Sequence, residues 1–139
     1  MAKAEPNITA WLAEAKQAAD AEQVGMYLLH NGVVRATPRH AVRSEASAPD
    51  HAPAHDAMVV AVDFSYDEAG LQKALEEALT WEGVFFARAW LNEGRVAVGE
   101  SLMYVLIGAD IRPHAIGALE KLVGNIKSTL VEEHEVFDI

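Results

Sequence analysis

The sequence predicts an α+β fold, a mainly antiparallel sheet covered by helices, and three observations carry that prediction. Apolar residues recur with a helical period in three stretches and with strand-like density in several others. The order reads helix, strand, strand, helix, strand, turn, strand, strand, helix, strand, whereas a doubly wound parallel sheet needs a helix after nearly every strand. A chain of 139 residues with 51% hydrophobic and 23% charged residues describes one domain, 1–139, able to bury a proper core.

The first helix follows Asn7, an N-cap residue, with Ile8, Trp11, Leu12 and Ala15 on one face. Val24 to Leu29 reads as a buried strand, resumed by Gly32-Val33-Val34 after a break at His30-Asn31. From Ala36 to Ala57 the character changes. Three of the five prolines (Pro38, Pro49, Pro53) and three of the six histidines (His40, His51, His55) fall here without periodicity, which predicts a long mobile loop, 36–57. Met58 to Phe64 is a second strand, and Tyr66 to Trp81 a helix with Leu71, Ala74, Leu75, Ala78 and Leu79 inward. Gly83 to Leu91, the turn Asn92-Glu93-Gly94, and Arg95 to Val98 carry a hairpin signal. Ser101 to Ile107 is apolar from Leu102 onward apart from the Tyr104 hydroxyl, so it is expected at the centre of the sheet. The last helix, Arg112 to Val131, repeats Ala115, Ile116, Leu119, Leu122, Val123, Ile126 and Leu130, and Glu133 to Phe137 alternates as a closing strand.

Composition excludes several classes of function. A net charge of -10 opposes binding to a nucleic-acid backbone, which needs a basic footprint. No apolar run approaches the roughly 20 residues that span a bilayer, and Met1 to Pro6 lacks a signal-peptide core, so a cytoplasmic protein is expected. Cysteine is absent, which removes disulfides, thiolate metal sites and a cysteine nucleophile. Phosphate-binding glycine loops and serine nucleophile elbows are absent too. His51 and His55 are spaced i, i+4 in the loop, but a metal site wants rigid, supported ligands, and no metal is expected.

Four side chains remain as candidates: Arg35, Arg112, Lys127 and His134. Arg35 emerges at a strand end. Arg39 and Arg43, close by, read as solvated loop charges rather than as parts of an anion site. Arg112 begins the last helix, with Asp110 as a plausible cap and Pro113 in the first turn, at an end whose free N–H groups favour anions. Lys127 leaves the same helix at the margin of its apolar stripe, where a lysine can lay its stem on apolar surface and hold its amine over a cleft. His134 follows seven residues later.

At these residues the chain resembles the large, catalytic subunit of molybdopterin synthase, the MoaE family with its α/β-hammerhead type of fold, as a divergent member. Val24-Gly25-Met26-Tyr27-Leu28 through Gly32-Val33-Val34-Arg35 is similar to the family's first strand and its Gly-x-Val-Arg ending. Residues 36–57 fall where the family has a mobile loop, and Trp81-Glu82-Gly83 to Gly99-Glu100 where it has a hairpin. Arg112 and Lys127 keep the family's fifteen-residue spacing between a substrate-side arginine and the catalytic lysine. Ile111 stands where the family has a histidine before that arginine, and His134 where it has a second lysine.

The resemblance implies an enzyme of molybdenum cofactor biosynthesis. A ubiquitin-like sulfur-carrier small subunit would insert its Gly-Gly tail, bearing a thiocarboxylate, and sulfur would pass to the anionic substrate cyclic pyranopterin monophosphate. Lys127 and His134 would be catalytic and Arg35 and Arg112 substrate-binding, with no cofactor, in a homodimer. The alternative is a catalytically weakened paralogue that binds a carrier tail or an anionic ligand without turnover. A third reading, from another class, is a homodimeric binding module with a histidine-loop metal site.

Overall fold

The computed structural model describes residues 3–39 and 57–138. In chain order the elements are helix α1 (Ile8–Ala15), strands β1 (Met26–Val33) and β2 (Val59–Tyr66), helix α2 (Glu68–Ala78), strands β3 (Val84–Leu91), β4 (Gly94–Ala97) and β5 (Ser101–Ala109), helix α3 (Arg112–Asn125), and strand β6 (Val131–Phe137). A short 3₁₀ turn at Ala21–Gln23 precedes β1, and a π-helical turn at Ile126–Leu130 joins α3 to β6.

Strand pairing is antiparallel throughout, but it forms two three-stranded sheets, ordered β1-β5-β3 and β4-β2-β6. The central position of β5 accounts for its composition. On one face Met103, Val105 and Ile107 enter the main core with Leu122 and Ile126 of the last helical segment. On the other, Leu106 packs with Trp11 and Ala15 of α1. A strand covered on both sides has no solvent face on which to alternate. Leu122 and Ile126 are fully buried, each worth roughly 1.5–3 kcal/mol of hydrophobic stabilisation.

The anticipated hairpin does not form. β4 pairs with β2, and β3 pairs with β5. Asn92 is the reason: its buried amide donates to the Ser101 carbonyl at 2.9 Å and its Oδ1 accepts from the N–H groups of Glu93 (2.7 Å) and Lys3 (2.9 Å). These bonds fix a corner at which the chain passes from one sheet to the other. The break expected at His30-Asn31 is also absent, since β1 runs unbroken and its irregularity comes at Gly32/Val33.

Helix ends follow local chemistry. Asn7 and Asp67 cap α1 and α2, accepting from Ala10 and Gly70. Asp110 does not cap α3 in that way: the N-cap is Ile111, and the Asp110 carboxylate accepts from the Ile111 N–H and bonds the His114 ring at 2.7 Å. Gly83 sits against this pair with φ 77°, where an added Cβ would strike both side chains. The last helix is α-helical only to Asn125, six residues short of the expected reach. The Thr129 hydroxyl donates to the Asn125 carbonyl at 2.7 Å and competes with the backbone for that acceptor as the helix widens. Two residues expected on inner faces, Leu79 and Ile116, are each 49% exposed. Among the described residues no helix is long and apolar enough to cross a membrane.

Candidate functional site

A pocket of about 280 Å³ opens where the end of β1, the last turn of α3 and the strand β6 converge. Its apolar floor includes Val34, Val62, Leu102, Met103 and Val123, and its charged wall includes Arg35, Arg39, Lys127, Glu133 and Glu135, with His30 beside them. Alternation along β1 turns Met26 and Leu28 to the main core and Tyr27 to the α1 side, so His30 and Gly32 share the face that α3 covers. Gly32 lacks a side chain between Met103 and His30, which keeps the floor low.

Lys127 reaches the pocket from the π-helical turn, a distortion that recurs at functional sites. Glu133 lies between two cations. Its Oε2 is 3.6 Å from Lys127 Nζ and its Oε1 is 3.9 Å from Arg39 Nη2. The glutamate side chain is only 13% exposed, so its pairing is screened less than that of a free surface charge. Glu135 accepts from the Arg39 backbone N–H at 2.9 Å, anchoring the segment that carries both arginines. Burial first, and the charge of Lys127 second, push the His30 imidazole below its ordinary pKa. It is therefore neutral at pH 7, a proton acceptor or donor beside an ammonium group.

The fold brings two of the four sequence candidates, Arg35 and Lys127, into one pocket and leaves two outside it. Arg112 is exposed at the far end of α3, about 20 Å along the axis at ~1.5 Å per residue. His134 projects from the opposite face of β6 to Glu133 and Glu135. It is paired in register with Asp63, 73% exposed, and 3.7 Å from Glu132. Asp63 in turn holds Arg95 through two bonds of 2.8 and 2.9 Å, which lower the Asp63 pKa.

Arg39 is a correction. It was expected as a solvated loop charge but stands in the pocket wall. His30, Glu133 and Glu135 were missed as site residues, although the period of two along β6 already puts both glutamates on one face. Arg43, His40, His51 and His55 lie outside the described residues. Among the described residues no group of three or more histidine and carboxylate side chains is placed to hold a metal.

Among the described residues, two antiparallel three-stranded sheets and three α-helices make up a MoaE-like fold. No protein-family model matches the sequence, and no curated protein sequence matches it at a significant level. Solved structures do. A MoaE protein of molybdopterin biosynthesis from Burkholderia ambifaria aligns with a TM-score of 0.67 at 16% identity, covering 97% of this chain and 85% of its own. A molybdopterin synthase from Staphylococcus aureus aligns with a TM-score of 0.65 at 15% identity, covering 84% and 77%. A complex of subunits 1 and 2 of the molybdopterin-converting factor from Helicobacter pylori contains a chain that aligns with a TM-score of 0.61 at 18% identity, covering 94% and 78%. At these identities the likeness establishes the fold.

Proposed function

We propose that the protein is a molybdopterin synthase large subunit or close relative. It would take sulfur from the thiocarboxylate tail of a ubiquitin-like carrier and pass it to the anionic cyclic pyranopterin monophosphate. The observation that carries this reading is the meeting of Arg35 and Lys127 in one pocket of a MoaE-like fold. The chain supplies no thiol, so the sulfur arrives on the partner. Once the thiocarboxylate sulfur has bonded to the pterin, water adds to the acyl carbon to form a tetrahedral oxyanion, the C–S bond breaks and the tail leaves as a carboxylate; a cation beside that carbon lowers the barrier. Lys127 fills that role, while Arg35 presents a planar fork suited to a phosphate or carboxylate. Arg112 lies too far along α3 to touch the same small ligand, so a homodimer in which Arg112 of the partner subunit completes the site accommodates both.

The test mixes the protein with a thiocarboxylated carrier and the pterin precursor and measures dithiolene product. The Lys127→Ala variant is expected to keep its thermal stability and lose about 100-fold or more in rate, the usual effect of removing an oxyanion-stabilising donor. A variant as active as the parent refutes the role given to Lys127. Sedimentation showing a monomer at micromolar concentration refutes the composite site.

A second reading, a weakened paralogue that binds a carrier tail or anion without turnover, is favoured by one observation: Glu133 occupies the space between Lys127 and Arg39. Tail binding by the wild-type chain with no product under any condition supports that reading over the first.

A further inference from the structure

We propose that Glu133 is a specificity-determining residue that makes this pocket select a singly charged anion over a doubly charged one of the same shape. The proposal rests on the reading of the pocket as an anion site and adds what kind of anion it takes. Glu133 divides its carboxylate between two of the pocket's cations, one oxygen towards Lys127 and the other towards Arg39. Its position is fixed from behind, because β6 is held in register on β2 with Glu133 opposite Phe64, a residue of the main core. The register keeps the Glu133 backbone on the pocket face, so the carboxylate can swing only about its own side-chain bonds and its charge stays beside the pocket.

An incoming anion therefore meets Lys127 and Arg39 with one negative charge already between them. Arg35 lies on the same wall, and no ion pair binds it among the described residues. One charge on the ligand is matched by Arg35 and by what remains of the paired cations, whereas a second charge is set directly against Glu133. His30 does not relieve this at neutral pH, because burial and Lys127 both keep its ring uncharged. The other charged group of the wall, Glu135, is turned to the Arg39 backbone and adds repulsion of the same sign. A phosphodiester or a peptide carboxylate fits this balance, and a phosphate monoester does not.

The charge itself is isolated by two probes of nearly equal shape at pH 8, dimethyl phosphate as the monoanion and methyl phosphate as the dianion. Each is titrated into the full chain while amide shifts of Gly32, Lys127 and Glu133 are followed by NMR. Wild type is expected to bind dimethyl phosphate more tightly. The isosteric Glu133→Gln variant, checked for an unchanged melting temperature, is expected to move the affinity ratio about tenfold towards methyl phosphate, the effect of one charge near 5 Å in a partly hydrated pocket. Glu132→Gln, on the outer face of the same strand, leaves the ratio where it was. A wild-type preference for the dianion, an unaltered ratio in Glu133→Gln, or binding to that variant alone overturns the proposal and leaves the anion pocket standing. Binding of neither probe to either protein overturns the functional reading, and the selectivity with it. If the variant does not fold, a wild-type preference for methyl phosphate still overturns the proposal.

Discussion

Asn92→Ala removes the side chain that turns the chain from one sheet into the other. Asn92 is 1% exposed, and its amide satisfies three backbone groups of different segments: the Ser101 carbonyl, the Glu93 N–H and the Lys3 N–H. The Ser101 bond is buried, so an abandoned carbonyl there costs about 2 kcal/mol; the two partly buried N–H groups can reach water and cost about 0.5 kcal/mol each. The sum is about 3 kcal/mol. A chain of 139 residues unfolds with an entropy near 290 cal/mol/K, at about 2.1 cal/mol/K per residue, so the melting temperature is expected to fall by about 10 °C. Calorimetry with a parallel urea titration measures both quantities. Asn92→Asp keeps the acceptor for Lys3 and Glu93 but points a carboxylate at the Ser101 carbonyl, and is expected to be no more stable than the alanine variant. A loss below about 1 kcal/mol in Asn92→Ala refutes the view that this amide, rather than strand pairing alone, sets the corner.

Gly83→Ala is expected to destabilise by at least about 2 kcal/mol, because φ is 77° and the new Cβ meets both His114 and Asp110. Gly99→Ala has a similar φ of 90° with open space around it, so it should lose only the backbone strain of about 1 kcal/mol. Equal losses in urea unfolding would show that the contact contributes nothing. The bond between His114 and Asp110 raises the histidine pKa and lowers that of the aspartate. The histidine's share of stability is present below its ordinary value and lost as pH rises through its raised one. The aspartate's share is present above its ordinary value and lost as pH falls through its lowered one. His114→Gln should therefore trail wild type most in melting temperature near pH 5–6 and approach it by pH 9. A difference independent of pH refutes the assignment.

The parts of the fold legible in sequence were those whose cause is local or set by burial. Asn7 precedes its helix as a cap, and the apolar run of Leu102, Met103, Val105, Leu106 and Ile107 announced a strand covered on both faces. The corner at Asn92 was not legible, because Asn-Glu-Gly between two strand-like runs has the local signature of a hairpin. What overrides it is a bond to Ser101, nine residues on, which only the assembled sheets bring near. Ile116 fits the helical period yet remains exposed, since the stripe facing the sheets is narrower than the pattern of apolar residues.

The pocket shows the same division within a single site. Lys127 and Glu133 are six residues apart, and they meet because the π-helical turn runs directly into β6 without an intervening loop. The turn is held at its exit by the Leu130 carbonyl, which accepts from Asp67 N–H at 2.9 Å. This half of the site is a local structure, and its pairing could be anticipated once the alternation along β6 was followed to Glu133 rather than to His134. Arg39 comes from far away in the chain, and nothing in its neighbourhood distinguishes it from a solvated arginine. Its place is set by Glu135, whose carboxylate takes the Arg39 N–H, and by β6 lying on β2 in a register that turns both glutamates inward. A slip of β6 by one residue would turn His134 inward and both glutamates outward, exchanging two negative charges for a titratable ring. The register of one short strand thus decides whether this pocket holds its cations in ion pairs or leaves them free for a ligand.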